Sequence, residues 1–271
     1  MDARLQRRVQ RYGWDKAASS YERYWREQLA PAQHRLLELA ALRPGERVLD
    51  VACGTGLVTF PAAAAVGTSG VVVATDISGV MVTQVGDEAL RRGLRQVQAV
   101  RMDAEALECA AGSFDAALCA LGMMYVPDPA TAFAEMRRVL RGGGRAVAAV
   151  WGARGNCGWA DIFPIVDRRV ASDVCPMFFH LGTDDTLAET MRSAGFAGVE
   201  VSRLTTTLQY TSPDEACGAA FAGGPVALAY SRFAEQVRAE AHAEYLTSIE
   251  PWRSGRAYAV PGEFVVARGF A

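Results

Sequence analysis

The sequence predicts an α/β protein built on an open, mostly parallel sheet, and three observations carry that expectation. The run Val48-Leu49-Asp50-Val51-Ala52-Cys53-Gly54-Thr55-Gly56 reads as a buried strand entering a turn whose glycines let backbone approach a ligand. A second apolar run, Val71 to Thr75, ends in the carboxylate of Asp76, 20 residues after Gly56. Between and beyond them, apolar strands alternate with stretches of helical spacing, the pattern of crossover connections in a parallel sheet.

The elements follow in order. Residues 15 to 41 carry helical apolar spacing through Tyr21, Tyr24, Trp25, Leu29, Leu36, Leu37 and Leu39; Pro31 and the closing Arg43-Pro44-Gly45 predict two helices before the first strand. After Gly56 come a helix through Ala62 to Ala65, a turn at Gly67 to Gly70, the Asp76 strand, and a helix from Ser78 to Arg92 stopped by Gly93. A third strand spans Val97 to Arg101, and a fourth, Phe114 to Ala120, precedes a helix over Pro129 to Leu140. The triplet Gly142-Gly143-Gly144 reads as a turn into a fifth strand, Ala146 to Trp151. A helix over 184 to 194 ends at Gly195, with strands at Val199 to Thr207 and Glu263 to Arg268. Residues 152–183, rich in aromatics, Gly and Pro, and 211–252, with the spacing of one or two helices, fall outside this plan and read as lid insertions that shape a pocket.

The strand tips suggest chemistry. Asp50 sits inside an apolar strand, a costly place for a carboxylate unless a hydrogen bond or a cation offsets its charge. Asp76 is placed to accept from a ribose diol, and Met102-Asp103-Ala104, after the third strand, offers an acid and an amide to the edge of a base. A dinucleotide site is the rival reading, but its third glycine is replaced by Thr59 and an acid precedes the loop.

These residues resemble the class I S-adenosylmethionine-dependent methyltransferases, in the branch similar to the ubiquinone and menaquinone biosynthesis enzymes. The resemblance rests on VLDVACGTG, on VVVATDIS followed by Met81, on Asp103-Ala104, and on Phe114 to Cys119 followed by EMRRVLRGGGRAVAAVW. It is strong over residues 40 to 152 and weaker through Pro261 to Ala267. It implies a Rossmann-like sheet of seven strands in the order 3-2-1-4-5-7-6, the last antiparallel, with helices on both faces and a helical lid. It also implies one domain over 1–271, with a helical cap (1–43), a cofactor-binding core (44–151) and the two insertions. By the same resemblance S-adenosylmethionine is the cofactor. Asp50, Ala52, Gly54 and Gly56 surround its methionine end, Asp76 its ribose, Ile77 and Met81 the adenosine face, and Asp103 and Ala104 the adenine, with Cys119 touching it through backbone and Tyr21 closing over it.

For the acceptor the sequence offers position rather than chemistry. Met123 and Tyr125 follow the fourth strand, Trp151 ends the fifth, and Trp159, Phe163, Phe178 and Phe179 are candidate lid walls. Among three histidines, His180 sits in a lid segment lined with apolar side chains and is the candidate catalytic base; His34 and His242 fall in helical patterns. Methyl transfer from an activated donor requires mainly alignment, so no catalytic triad is expected. The implied activity is in-line methyl transfer to a small molecule, with C-methylation of a quinol-like ring and N- or O-methylation of a natural product both open. The alternative is a non-methylating member of the fold, such as a cyclase, that retains the cofactor.

Composition is compatible with a soluble enzyme: 271 residues, 51% hydrophobic, net charge −2. That charge offers no broad basic field for nucleic acid. The N-terminus lacks an apolar signal core and no stretch reaches bilayer length, so a cytoplasmic location is expected; the oligomeric state, monomer or homodimer, is left open by the sequence. Six cysteines, at 53, 109, 119, 157, 175 and 217, form no C-x-x-C pair and are expected as free thiols with no metal bound. Thiolate chemistry on a metalloid by Cys53, Cys119, Cys157 and Cys175 is disfavoured, since the first two sit where a small apolar residue suffices.

Overall fold

The computed structural model describes residues 3–170 and 177–271. Its sheet contains β1 (Arg47–Val51), β2 (Val71–Asp76), β3 (Val97–Arg101), β4 (Phe114–Ala120), β5 (Leu140–Trp151), β6 (Ala197–Tyr210), β7 (Arg253–Ser254) and β8 (Ala257–Phe270). The order is β3-β2-β1-β4-β5-β8-β6, with β7 paired to β8. The pairs from β3 through β5 are parallel, whereas β8 runs antiparallel to both β5 and β6. Strands β1, β2 and β4 are buried along nearly their whole length. Such strands show no in-out alternation because helices cover both faces of the sheet.

Those helices are α1 (Ala3–Ala40), α2 (Thr59–Val66), α3 (Gly79–Arg91), α4 (Pro129–Val139), α5 (Ile162–Asp167), α6 (Thr186–Ser193), α7 (Pro213–Cys217), α8 (Ala227–Tyr230) and α9 (Glu235–Ile249). Local chemistry sets several of their starts. Ser78 caps α3 by accepting from the Met81 amide at 3.2 Å, and Asp128 caps α4 by accepting from the Thr131 amide at 3.1 Å, with Pro129 at the first helical position. Helices α2 and α3 pack on β1 to β3, α4 and α6 pack on the other half, and α1 crosses β4, β5, β6 and β8. Leu36, Leu49, Met81, Leu118, Phe133 and Met136 are fully enclosed, each contributing about 1.5–3 kcal/mol of burial free energy.

The sheet has the expected seven-stranded path; β7, a two-residue ribbon preceding β8, makes it eight-stranded. Other elements depart from expectation for identifiable reasons. The two predicted N-terminal helices are one, of 38 residues, running straight through Pro31. Pro31 deprives the Glu27 carbonyl of its donor, but both residues lie on the exposed face, where water can replace it, while Leu29, Ala32 and Leu36 are buried on the other. The glycine triplet is not a turn ahead of β5 but part of it: Gly143 adopts φ +76° and the register against β4 shifts between Phe114 and Ala116, so the extra residues are absorbed as an irregularity. Strands β6 and β8 each run 14 residues, longer than expected, because they pair with each other from Ala197↔Phe270 to Tyr210↔Tyr258. The 211–252 stretch breaks into α7, a π-turn over Gly218–Ala222, α8 and α9.

Candidate functional site

The carboxyl ends of β1, β2 and β4 and the chain leaving β3 open onto one cleft. Tyr21, Ala52, Gly54, Asp76, Ile77, Met81, Asp103, Ala104 and Tyr125 all line it. Two of its backbone positions are strained into the left-handed region without being glycine: Ala52 (φ +55°) after β1 and Leu121 (φ +62°) after β4. They flank a close approach. A Cβ added to Gly122 would stand 2.3 Å from that of Ala52, so the loops after β1 and β4 meet only because residue 122 has no side chain.

Asp76 anchors the centre. Its Oδ2 accepts from the Gly54 amide at 3.0 Å and its Oδ1 from the Ser78 amide at 2.9 Å. Burial pushes its pKa up to about 6, against the pull of those two amides. Beneath the turn, Asp50 is 1% exposed; its Oδ2 accepts from the Thr59 hydroxyl at 2.6 Å, while Oδ1 has no partner. Burial raises its pKa to about 7, with the nearby charge of Asp76 adding to the rise. An orphaned buried carboxylate oxygen below a glycine turn, with a second buried acid facing the cleft, is an environment that a cationic ligand would relieve. The donor set therefore fits S-adenosylmethionine, whose ammonium and sulfonium are cationic and whose ribose offers two hydroxyls.

Helix α1 covers the cleft. Arg7 pairs with Asp103 at 2.9 Å and with Glu105 at 2.8 Å, and Asp15 accepts from the Ser78 hydroxyl at 2.6 Å. Trp14 meets Tyr21 and Tyr125 edge-on, at centroid distances of 5.7 and 5.0 Å. Past these rings a second, smaller cavity adjoins the cleft, sharing Trp14, Tyr21, Leu121 and Tyr125 and walled by Trp25, Trp151, Trp159 and Phe178. The 177–182 segment is held to β5 at Gly182, where a Cβ would lie 1.8 Å from the Trp151 carbonyl oxygen.

Several expected residues lie elsewhere. Gly56 (φ +92°) borders a neighbouring groove beside Phe60. Cys119 is wholly buried within β4, and Ala120, Leu121 and Gly122 form the cleft edge in its place. Met123 is also wholly buried and belongs to the core, leaving Tyr125 to reach both cavities. Trp151, expected as an acceptor wall and not as a cofactor contact, lines the second cavity. His180 is exposed and borders neither, because the turn over 177–180 directs Phe178 inward and leaves His180 outside. Phe163 and Phe179 pack on Trp159 behind the wall. Cys175 lies outside the described residues.

Arg7, Gln10, Trp14 and Gly122 line the cleft without having been singled out from the sequence. The N-terminus is polar and arginine-rich, yet Trp14, Tyr21 and Trp25 recur at spacings of seven and four, which is one helical stripe. Thr59, noted only as the place of a missing glycine, is the hydroxyl that holds Asp50.

Residues 48–144 match the family model for a methyltransferase domain. The chain is 38% identical over 132 residues to aklanonic acid methyltransferase DauC of Streptomyces sp. (strain C5), a match covering 49% of this chain and 60% of that protein. It thus spans less than two thirds of that relative. It is 32% identical over 198 residues to the ubiquinone/menaquinone biosynthesis C-methyltransferase UbiE of Ectopseudomonas mendocina (strain ymp), covering 65% of this chain and 77% of that one. Among solved structures, the [4+2]-cyclase SpnF shares the fold with a TM-score of 0.57 at 22% identity, over 88% of this chain and 79% of that chain. With a UbiE relative matched over most of its length and an acid-lined cleft at the sheet's carboxyl edge, the chain belongs to the class I S-adenosylmethionine-dependent methyltransferases, in their UbiE-like branch.

Proposed function

We propose that this protein transfers a methyl group from S-adenosylmethionine to a small-molecule acceptor held in the aromatic cavity. The observation that carries the reading is the continuity of the two spaces: the acid-lined cleft and the aromatic cavity share Trp14, Tyr21, Leu121 and Tyr125. The cofactor supplies a methyl carbon already activated by a positively charged sulfur. The chain's part is to align the reactants and exclude water, which in favourable cases lowers a barrier by about 7–11 kcal/mol.

In this reading Asp76, with both oxygens already fixed by backbone amides, takes the ribose hydroxyls through its remaining lone pairs. Ile77 and Met81 face the adenosine, Asp103 and Ala104 the adenine, and Gly54 with Ala52 and the buried Asp50 the methionine end. Residues 1–43 serve as the cap and 152–183 with 211–252 as the lid of a single domain. His180 has no part in it.

Calorimetry with S-adenosylhomocysteine tests the cleft, and transfer of labelled methyl to a panel of quinols, phenols, amines and thiols tests the reaction. C-methylation of a quinol-like ring is the reading the UbiE relative supports; N- or O-methylation of a natural product is the other. The likeness to SpnF favours a second reading, a cyclase that keeps the cofactor. Tight homocysteine-product binding with no transfer to any acceptor would select it.

A further inference from the structure

Three rings stand where the cleft and the aromatic cavity meet. Trp14, Tyr21 and Tyr125 line both spaces and are half-buried, and the fourth described residue common to the two is Leu121. Trp14 is the link among them: its ring stands at 85° to Tyr21, one turn pair further along α1, and at 77° to Tyr125, in the turn after β4. The line of rings continues at both ends. Tyr21 lies against the glycine turn, where a Cβ on Gly54 would stand 3.9 Å from its Cε1, and Tyr125 meets Phe178 of the cavity wall at 5.4 Å.

The backbone on each side of Trp14 is anchored. Gly13 is buried, its Cβ position 3.9 Å from both the Pro225 carbonyl oxygen and the Leu228 Cβ, which seats this turn of α1 on the 225–228 segment. Asp15 accepts from the Ser78 hydroxyl at 2.6 Å and from the Val80 amide at 3.4 Å. A stiff ring held this way, with a tyrosine packed on either side, has no flexible end to move out of a ligand's path. Building on the methyltransferase reading above, we propose that Trp14 is the specificity-determining residue of the passage between cofactor and acceptor. It limits the size of the group that the cofactor's sulfur can present to the aromatic cavity, admitting methyl and opposing larger alkyl groups. It acts by position, through its own ring and the two tyrosines it braces, and exchanges no proton.

S-Adenosylmethionine and its S-allyl and S-benzyl analogues test this by titration calorimetry on the full chain. Each affinity is divided by that of S-adenosylhomocysteine, which carries no such group, in the same protein, so a general loss of cofactor affinity cancels. The unsubstituted protein should bind each larger analogue about tenfold or more weaker than S-adenosylmethionine, the discrimination that added carbon meets in a packed apolar space. Trp14→Ala should bring both penalties within about threefold, and the milder Trp14→Phe should relieve the S-allyl penalty in part. Arg7→Ala, which releases the same helix without removing a ring, should preserve both. Equal binding of the three sulfoniums by the unsubstituted protein, penalties that survive Trp14→Ala and Trp14→Phe, or equal relief by Arg7→Ala would overturn the proposal. Failure of the unsubstituted protein to bind S-adenosylhomocysteine strikes the methyltransferase reading, whereas tight binding without a size penalty strikes Trp14 alone.

Discussion

The Gly54 amide donates to Asp76 Oδ2 at 3.0 Å, joining the turn after β1 to the tip of β2 across 22 residues of sequence. The bond explains why the two motifs belong together: the glycine turn orients the acid, and the acid holds the turn in its left-handed conformation, φ +54° at Gly54. With the Ser78 amide on its other oxygen, the carboxylate is fixed in the cleft before any ligand arrives.

Asp76→Asn should therefore damage the site beyond the loss of charge. Its NH2 would face one of two backbone donors, so the side chain cannot satisfy both amides. Affinity for S-adenosylhomocysteine should fall about 10- to 100-fold, the range expected when a charged hydrogen bond is lost. Titration calorimetry checks it; unchanged affinity would show that the acid only braces the turn.

Asp50 predicts a pH dependence. Its pKa in the fold, about 7, lies above the ordinary 3.8, so the folded protein binds a proton more readily than the unfolded chain. That contribution to stability is complete below the unfolded value and is lost as pH rises from about 4 through 7, at up to ~1.4 kcal/mol per pH unit. A cationic ligand reverses the preference by favouring the carboxylate. Cofactor affinity should rise steeply with pH below 6, level off above 7, and release close to one proton when calorimetry is repeated in buffers of different ionisation enthalpy. Asp50→Asn should flatten both the stability and the affinity profiles. A proton release unchanged by that substitution would assign the titration to Asp76, which burial raises to about 6.

Much of this was legible in the chain. Strands β1, β2 and β4 announce themselves as apolar runs because both their faces are covered, and the acids at their tips stand out against that background. Position after a strand end leads to Tyr125 at the cleft but also to Met123 and Cys119, which are buried in the core, because a strand tip specifies a neighbourhood and not which way a side chain turns. Helix α1 was hidden by Pro31, whose effect depends on which face of the helix it occupies, something periodicity alone does not reveal. His180 was nominated for its aromatic neighbours; the 177–180 turn buries Phe178 and leaves the histidine in solvent.

Arg7 should control how long the cofactor stays. Its ion pairs to Asp103 and Glu105 fasten the first turns of α1 across the cleft; the pair with Asp103 is about a third exposed on both sides and contributes little, whereas the Glu105 side chain is only 5% exposed and depends on its cation. Arg7→Ala should lower the melting temperature through the Glu105 carboxylate left unpaired, speed S-adenosylhomocysteine dissociation several-fold and raise amide exchange over residues 3–14. The difference should shrink in high salt, which screens exposed pairs. Stopped-flow dissociation at two ionic strengths checks it, and an equal off-rate in both proteins would place the latch elsewhere.

Gly122 offers the sharpest steric test. Its missing side chain lets the loop after β4 rest on Ala52, and a methyl group would land 2.3 Å from the Ala52 Cβ and 3.2 Å from Cys119 Sγ. Neither neighbour can yield easily: Ala52 is already held at φ +55°, and Cys119 is fixed in the ladder opposite Ala148. Gly122→Ala should destabilise the fold by about 1–3 kcal/mol, the usual range for overpacking, and should weaken cofactor binding further by parting the two loops that frame the cleft. Denaturant melts and calorimetry together separate the effects. A loss of stability with binding intact would mean that the loops move apart away from the ligand, and that the Ala52–Gly122 contact supports the sheet edge without shaping the site.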